Sequence, residues 1–248
     1  MEIRSICRLV YLNGLLLAIG FIATPCLAQI RFSAGAGLGT YDMADLKEIN
    51  ESFKLSVPAL VTPQGISTFP PYATYEATLQ YKIRRFQLGA YWSYNSTGSR
   101  LSYEDYSGSL WYDQKVSCNQ YGITLGHLLT RNDGPWEVIP SLRLGVINTQ
   151  YQVSDILQVT GNPAQSVVYK FTSNSYMISP GLSTNRVIKP WIALSFDFRY
   201  LLDLKQDLRS TAPPLTYIFG SNGSHMGANW SGIRLTLSVE VRFPGKKS

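Results

Sequence analysis

The chain has 248 residues, with 22 Lys and Arg against 16 Asp and Glu and a formal net charge of +6. Charged residues are only 15% of it, against about 25% in a typical soluble domain, which argues against a fully water-facing surface. The basic excess is spread along the chain without a Lys/Arg cluster, which excludes the electrostatic footprint of a nucleic-acid binder.

The first element is an export signal. Arg4 and Arg8 precede the apolar run "LNGLLLAIGFIA", and "TPCLAQ" follows. That order of charge, apolar core and small residues predicts a signal peptide over 1–28, cut between Ala28 and Gln29, and one domain over 29–248. The run is shorter than the ~20 residues of a spanning helix. Pro25 stands before Cys26, where a lipoprotein signal would carry a small residue. Cleavage removes Cys7 and Cys26 and leaves Cys118 as the lone thiol, so no internal disulfide is expected.

Strand patterns begin at once. "QIRFSAGAGLGTY" sets Ile30, Phe32, Ala34, Ala36 and Leu38 against Arg31, Ser33 and three glycines. Such a period of two marks a β-strand, because successive side chains leave opposite faces. Next comes "YDMADLKEINESFKL", where Asp42 is placed to cap a helix and Met43, Leu46, Ile49 and Phe53 recur at helical spacing. A short amphipathic helix is expected there, lidding a barrel mouth. The four prolines of "SVPALVTPQGISTFPPY" predict an irregular, exposed segment.

Alternation resumes in "TYEATLQYKI", "FQLGAYWSYN", "QYGITLGHLL", "WEVIPSLRLGVI", "SYMISPGLST" and "WIALSFDFRYLLDL". The last strand, "SGIRLTLSVEVRF", is apolar at every odd position from Ile233 to Phe243 and polar between. This makes about eight strands. "LSYEDYSGSLWYDQKV" could extend two of them as a tall hairpin and leaves a count of eight or ten open.

The connections alternate as well. "RRF", "TRNDGP" and "NRVIKP" are tight turns, whereas 42–71, 97–109, 152–165 and 205–229 are expected as longer loops. Short turns at the end that holds both termini, with long loops opposite, is the plan of an outer-membrane barrel. The fold class is therefore all-β: a closed antiparallel transmembrane β-barrel of about eight strands, with short periplasmic turns and longer extracellular loops. The polar faces carry Arg31, Glu76, Lys82, Glu137, Arg143, Asp197, Arg199, Arg234, Glu240 and Arg242. They are expected to fill the lumen as a paired charge network, since opposite charges need partners where little water is present. Tyr41, Tyr72, Tyr94, Trp111, Trp136, Trp191, Tyr200 and Trp230 fall near strand ends, where interfacial girdles lie.

With these features the chain resembles the small eight-stranded outer-membrane barrels of Gram-negative bacteria, and more closely the outer-membrane β-barrel (PorT-like) proteins common in Bacteroidetes. The resemblance spans the mature chain and implies location and fold more than activity. It implies outer-membrane lipid and the barrel-assembly machinery as partners, the assembly signal falling on the aromatic of the last strand, Phe243. The chain departs from that pattern in that "PGKKS" follows.

Residues for chemistry are sparse. After the signal there are two histidines, His127 and His225. His127 aligns with the lipid-facing set, and Leu129 stands two residues on, where a lipid-modifying site would need a serine. His225 neighbours Ser224 in the last loop, a pairing too common to mark a hydrolase. Two distant histidines and one cysteine lack metal-ligand spacing, and "GAGLG" lies within a strand with no phosphate-loop helix after it. No catalytic, cofactor or metal residue is assigned, no enzyme activity and no cofactor are expected, and nucleic acid is excluded as a partner. The expected function is that of an integral outer-membrane barrel with a side-chain-filled polar lumen, structural or binding an extracellular ligand or partner protein through its loops. A narrow channel for small solutes is the alternative, and an outer-membrane hydrolase or acyltransferase a more distant one.

Overall fold

A computed structural model describes residues 28–56, 64–66, 68–130, 134–212, 217–220 and 223–243. The export signal falls outside the described residues except for Ala28, which opens the first strand. The elements are β1 (Ala28–Gly39), α1 (Ala44–Ser56), β2 (Tyr72–Ile83), β3 (Phe86–Asp105), β4 (Gly108–His127), β5 (Trp136–Val159), β6 (Gln165–Lys189), β7 (Ile192–Leu204) and β8 (Gly232–Phe243). Each of these strands pairs antiparallel with the next, and β1 pairs with β8, so the sheet closes as a ring of eight.

The register fixes the width. From Gln29 the pairing runs through Lys82, Gln87, Gly126, Ser141, Gly181, Arg199 and Arg234, and it returns to β1 at Gly39, ten residues along. That stagger over eight strands tilts them roughly 40° from the barrel axis and leaves a bore that side chains can fill. The seam is tight. A Cβ added at Gly35 or Gly37 would collide with the β8 backbone at the Leu237 and Leu235 carbonyls, which explains the small residues of "GAGLG".

The alternation of "SGIRLTLSVEVRF" becomes two environments. Ile233, Leu235, Leu237 and Val239 are between 40 and 54% exposed on the outside, whereas Arg234, Thr236, Ser238 and Glu240 are 2 to 6% exposed within. The same holds around the ring, where Phe32, Leu79, Ile123, Leu144, Ile178 and Phe196 all face outward.

Strand lengths depart from the sequence expectation. β3 to β6 run 20 to 25 residues and the other four 12 or 13. Residues 97–109 and 152–165, expected as loops, are therefore mostly strand that rises as a wall above the barrel. The reason is a change of polarity rather than of period. Past Trp92, Tyr121, Val146 and Tyr176, which lie on one line of register, the outward residues turn polar, as at Asn148 and Gln150. Among the inward ones apolar side chains now appear, Leu101, Val116, Ile147, Tyr151 and Val153, buried beside uncharged polar ones such as Asn95, Thr97, Ser99 and Thr149. Polar–polar alternation such as Ser96, Thr97, Gly98 and Ser99 hides a strand from a hydrophobic count.

The β3–β4 hairpin turns on Asp105. Its Oδ1 accepts hydrogen bonds from the Ser107 N–H at 2.8 Å, the Ser107 hydroxyl at 2.6 Å and the Gly108 N–H at 3.2 Å. These donors, led by the Ser107 hydroxyl, hold the carboxyl down at about 2 from an ordinary 3.8. A depressed folded-state pKa places the stabilising contribution above the ordinary value and removes it as pH falls through the folded one. The turn is thus expected intact above pH 3.8 and lost as pH falls through about 2. NMR of the Ser107 amide should titrate with the lower midpoint, and Ser107→Ala should move it up. A midpoint near the ordinary carboxylate value in the intact protein would contradict this.

Candidate functional site: the filled lumen and the capped mouth

The ten charged positions of the polar faces are all buried inside the barrel, in tiers. The lowest tier centres on Glu137 at the start of β5. Arg31 from β1 grips it with two bonds of 2.8 and 3.0 Å. Arg242 from β8 adds bonds of 2.7 and 3.3 Å, Lys82 from β2 one of 3.3 Å, and the Asn185 amide of β6 one of 3.4 Å. Glu240 joins the same knot, 2.6 Å from Arg242 and 3.3 Å from Arg31. Side chains from five strands thus meet across the bore.

In the next tier Arg143 forks onto Glu76 at 2.8 and 3.1 Å, under the Tyr91 ring at 4.9 Å. Arg199 donates to Asp197 and to Ser141, both at 2.8 Å, while the Ser183 hydroxyl donates to Asp197 at 2.5 Å. Bidentate guanidinium–carboxylate pairs are the strong form of such contacts. Two internal voids of about 20 Å³ each lie among these residues, room for about one water apiece.

Arg234 breaks the expectation that each lumen charge meets an opposite one. It donates to the carbonyl oxygens of Trp230 at 2.8 Å and Ile233 at 3.2 Å and to that of Thr40, and it lies 4.5 Å from the Tyr41 ring centre. Backbone dipoles and a ring face take the place of an acid. The rim can supply them because β1 and β8 end there.

Above Arg234 the interior mixes apolar side chains with uncharged polar ones such as Asn50, Ser99 and Gln114, so the expected charged lumen holds only for the lower part of the bore. Tyr41 and Trp230, expected in the girdle, are instead buried in this upper core, edge to face at 5.0 Å. Tyr72, Trp136, Trp191 and Tyr200 do face outward. Helix α1 lies against the wall of tall strands. Met43 and Leu46 are fully buried, with Ile49 and Phe53 packed on the same core and Phe53 stacked on Tyr112 at 4.4 Å. The buried Asn50 donates to the Ser99 hydroxyl at 3.0 Å and accepts from Gln114 at 2.8 Å. The last loop closes over the other side, where Asp45 accepts from the Gly227 N–H at 2.8 Å and pairs with Lys205.

Two local expectations change. Asp42 does not cap α1; the chain enters through Met43 at φ 46°, and Asp42 accepts from the Asn229 amide at 2.8 Å. A left-handed Met is strained by roughly 1 kcal/mol or more, offset here by complete burial of its side chain. The proline-rich stretch is not wholly irregular or exposed, since Gln64–Ile66 pairs with β3 and Phe69 is buried.

Of the histidines, His127 packs on Phe86 at 4.8 Å near the lower end of β4. His225 Nδ1 is 2.9 Å from Asp207, and its ring is stacked on Tyr217 at 4.4 Å and meets Phe219 edge-on at 4.9 Å. Cys118 is free and buried. Phe243, at the end of β8, pairs with Ile30 of β1 at the seam and faces outward.

No protein-family model matches the sequence, and no curated protein does. Solved structures do match. A major outer membrane protein of Thermus thermophilus aligns over 87% of this chain and 99% of its own, at 9% identity and a TM-score of 0.50. The fold is that of a small outer-membrane barrel. OprG of Pseudomonas aeruginosa aligns over 88% of this chain and 97% of its own, at 10% identity and a TM-score of 0.46. The protease OmpT of Escherichia coli covers 89% and 98%, at 10% identity and a TM-score of 0.31.

Sequence reasoning missed Asn185, the amide on Glu137, and Asp155 of β5. Asn185 sits on the polar face of its strand, so extending the β6 pattern past Ser183 would have found it. Asp155 lies in a stretch expected as loop, where the inverted polarity removed the signal.

Proposed function

We propose that the chain is an integral protein of the bacterial outer membrane, exported by cleavage of 1–28, with a lumen plugged by side chains and an extracellular mouth that serves as a binding surface. One observation carries this reading. The outside of the barrel is apolar around a charged interior, and along these four strands the outer face inverts from apolar to polar just above Trp92, Tyr121, Val146 and Tyr176, as at Asn148, Gln150 and Asn174. A protein surrounded by water throughout has no use for that inversion, whereas one that leaves a bilayer partway up its wall requires it. No helix among the described residues is long and apolar enough to cross a membrane.

The buried ion pairs and the two small voids support a closed lumen. A binding or structural role therefore fits better than a channel, and the reading assigns no catalytic step. The PorT-like character rests on the signal, the alternating strands and the terminal "LSVEVRF", and the role of Phe243 as assembly signal rests on that resemblance.

The test is to fold residues 29–248 into detergent micelles and compare boiled and unboiled gel mobility, then to record planar-bilayer currents. A compact, faster unboiled band and no stepwise conductance are expected. Unchanged mobility in a chain that stays in solution without detergent would overturn the membrane reading, and stepwise channels would overturn the plugged lumen.

A further inference from the structure

Between α1, the tall wall and the last loop lies a cleft of about 580 Å³, within the ~300–1,000 Å³ range of small-molecule sites. Its walls are apolar and aromatic, with Ile49 of α1, Tyr112 of β4, Tyr151 of β5, Phe171 of β6 and Ile218 of the last loop among them. Among the described residues one charged group lines it, Asp155 of β5. Asp155 is half-buried: its Oδ1 is enclosed by protein with no hydrogen-bond partner among the described residues, which leaves Oδ2 as the oxygen a ligand can reach, and among the described residues no Lys, Arg or His lines the cleft. Asp155 is nine residues beyond Val146, the last outward apolar residue of the β5 belt, so the cleft stands well above the membrane level.

We propose that this cleft binds a small organic cation, with an aromatic or aliphatic body held by the rings and an ammonium or pyridinium charge set against Asp155. The inference rests on the reading of the mouth as a binding surface and names its ligand class. Charge complementarity selects the occupant. A half-buried carboxylate beside apolar walls is incompletely solvated, and a cation at Oδ2 pairs with it while aromatic faces favour the same charge. Burial raises the Asp155 carboxyl above its ordinary range, as expected of an acid short of such a partner. A neutral ligand of the same shape would make no such pair.

The experiment uses residues 29–248 folded into nanodiscs of phosphatidylcholine, whose neutral surface does not itself collect cations. The probe is dimethylaminostyryl-methylpyridinium, which brightens in a confined apolar site, with neutral dimethylaminostilbene as its isostere. Saturable binding of the cation is expected. Asp155→Asn should weaken it at least about tenfold while leaving the stilbene unchanged, and Ile49→Trp, which fills the cleft, should abolish both. Equal cation binding by the protein and Asp155→Asn, or no saturable binding in a chain that shows the compact unboiled band, would overturn the site and leave the barrel standing. A chain that never inserts and stays water-soluble would overturn the membrane reading, and the site with it.

Discussion

Glu137→Gln is expected to destabilise the folded barrel by about 3–5 kcal/mol, the typical penalty for stripping one partner from a buried ion pair. Glu137 is 1% exposed and receives Arg31, Arg242 and Lys82 together. The amide removes one negative charge and leaves three cations facing each other with only Glu240 among them. Gln is nearly isosteric, so packing is preserved and the loss is electrostatic. Urea unfolding in micelles, followed by tryptophan emission and by the unboiled band, reads the difference. The double variant Glu137→Gln with Arg31→Met removes one surplus cation and should recover part of the loss, since residues that share a partner do not add independently. A single variant as stable as the parent would mean that water or counter-ions reach the lower lumen, and the plugged-bore reading would fail with it.

The second large effect is expected at the top of the bore. Trp230 is fully buried, meets Tyr41 edge to face and donates its indole N–H to Thr149 at 2.9 Å. Its backbone N–H donates to Asp203 at 3.0 Å, and its carbonyl accepts from Arg234 at 2.8 Å. Trp230→Ala empties the centre of the upper core and costs about 3–5 kcal/mol. The loss should be local in character. The Asp203 and Arg234 contacts use the Trp230 backbone and survive, while the cavity opens beneath α1 and the last loop. Hydrogen exchange should therefore show faster exchange of α1 amides, with β1 and β8 amides in the lower barrel slowed as in the parent. Uniform acceleration throughout the sheet would show that mouth and barrel unfold as one unit.

Much of the lower barrel was legible before any coordinates. Side chains alternate with a period of two, so a half-buried strand announces its register and its two faces without tertiary information. That is why Arg31, Glu76 and Glu240 could be assigned to one interior from "QIRFS", "TYEAT" and "LSVEVRF". The helix at Leu46, Ile49 and Phe53 was legible for the same reason at a different period.

Other features had no local signature. Which guanidinium meets Glu137 depends on β1, β2 and β8 closing around β5, pairings of chain positions more than fifty residues apart. Arg234 lacks an acid because it ends up where the seam strands finish and bare carbonyls are exposed. Tyr41 and Trp230 look like girdle residues by position along the strand, and only the inward fold of the chain around them makes them core. The tall wall was legible only as a possible hairpin at "LSYEDYSGSLWYDQKV", and its β5 and β6 part not at all, because its outward face is polar and the contrast that marks a strand fades where the surrounding solvent changes.

The sequence by itself determined the strands of the lower barrel, their two faces and the charged set inside, since each follows from alternation along a single segment. Only the tertiary structure decided that the ring closes at eight, which charges pair, how far the wall rises, where the interior turns from charged to uncharged and that Asp155 faces an apolar cleft. Those properties arise between segments, from register around the ring and from the boundary between two solvents.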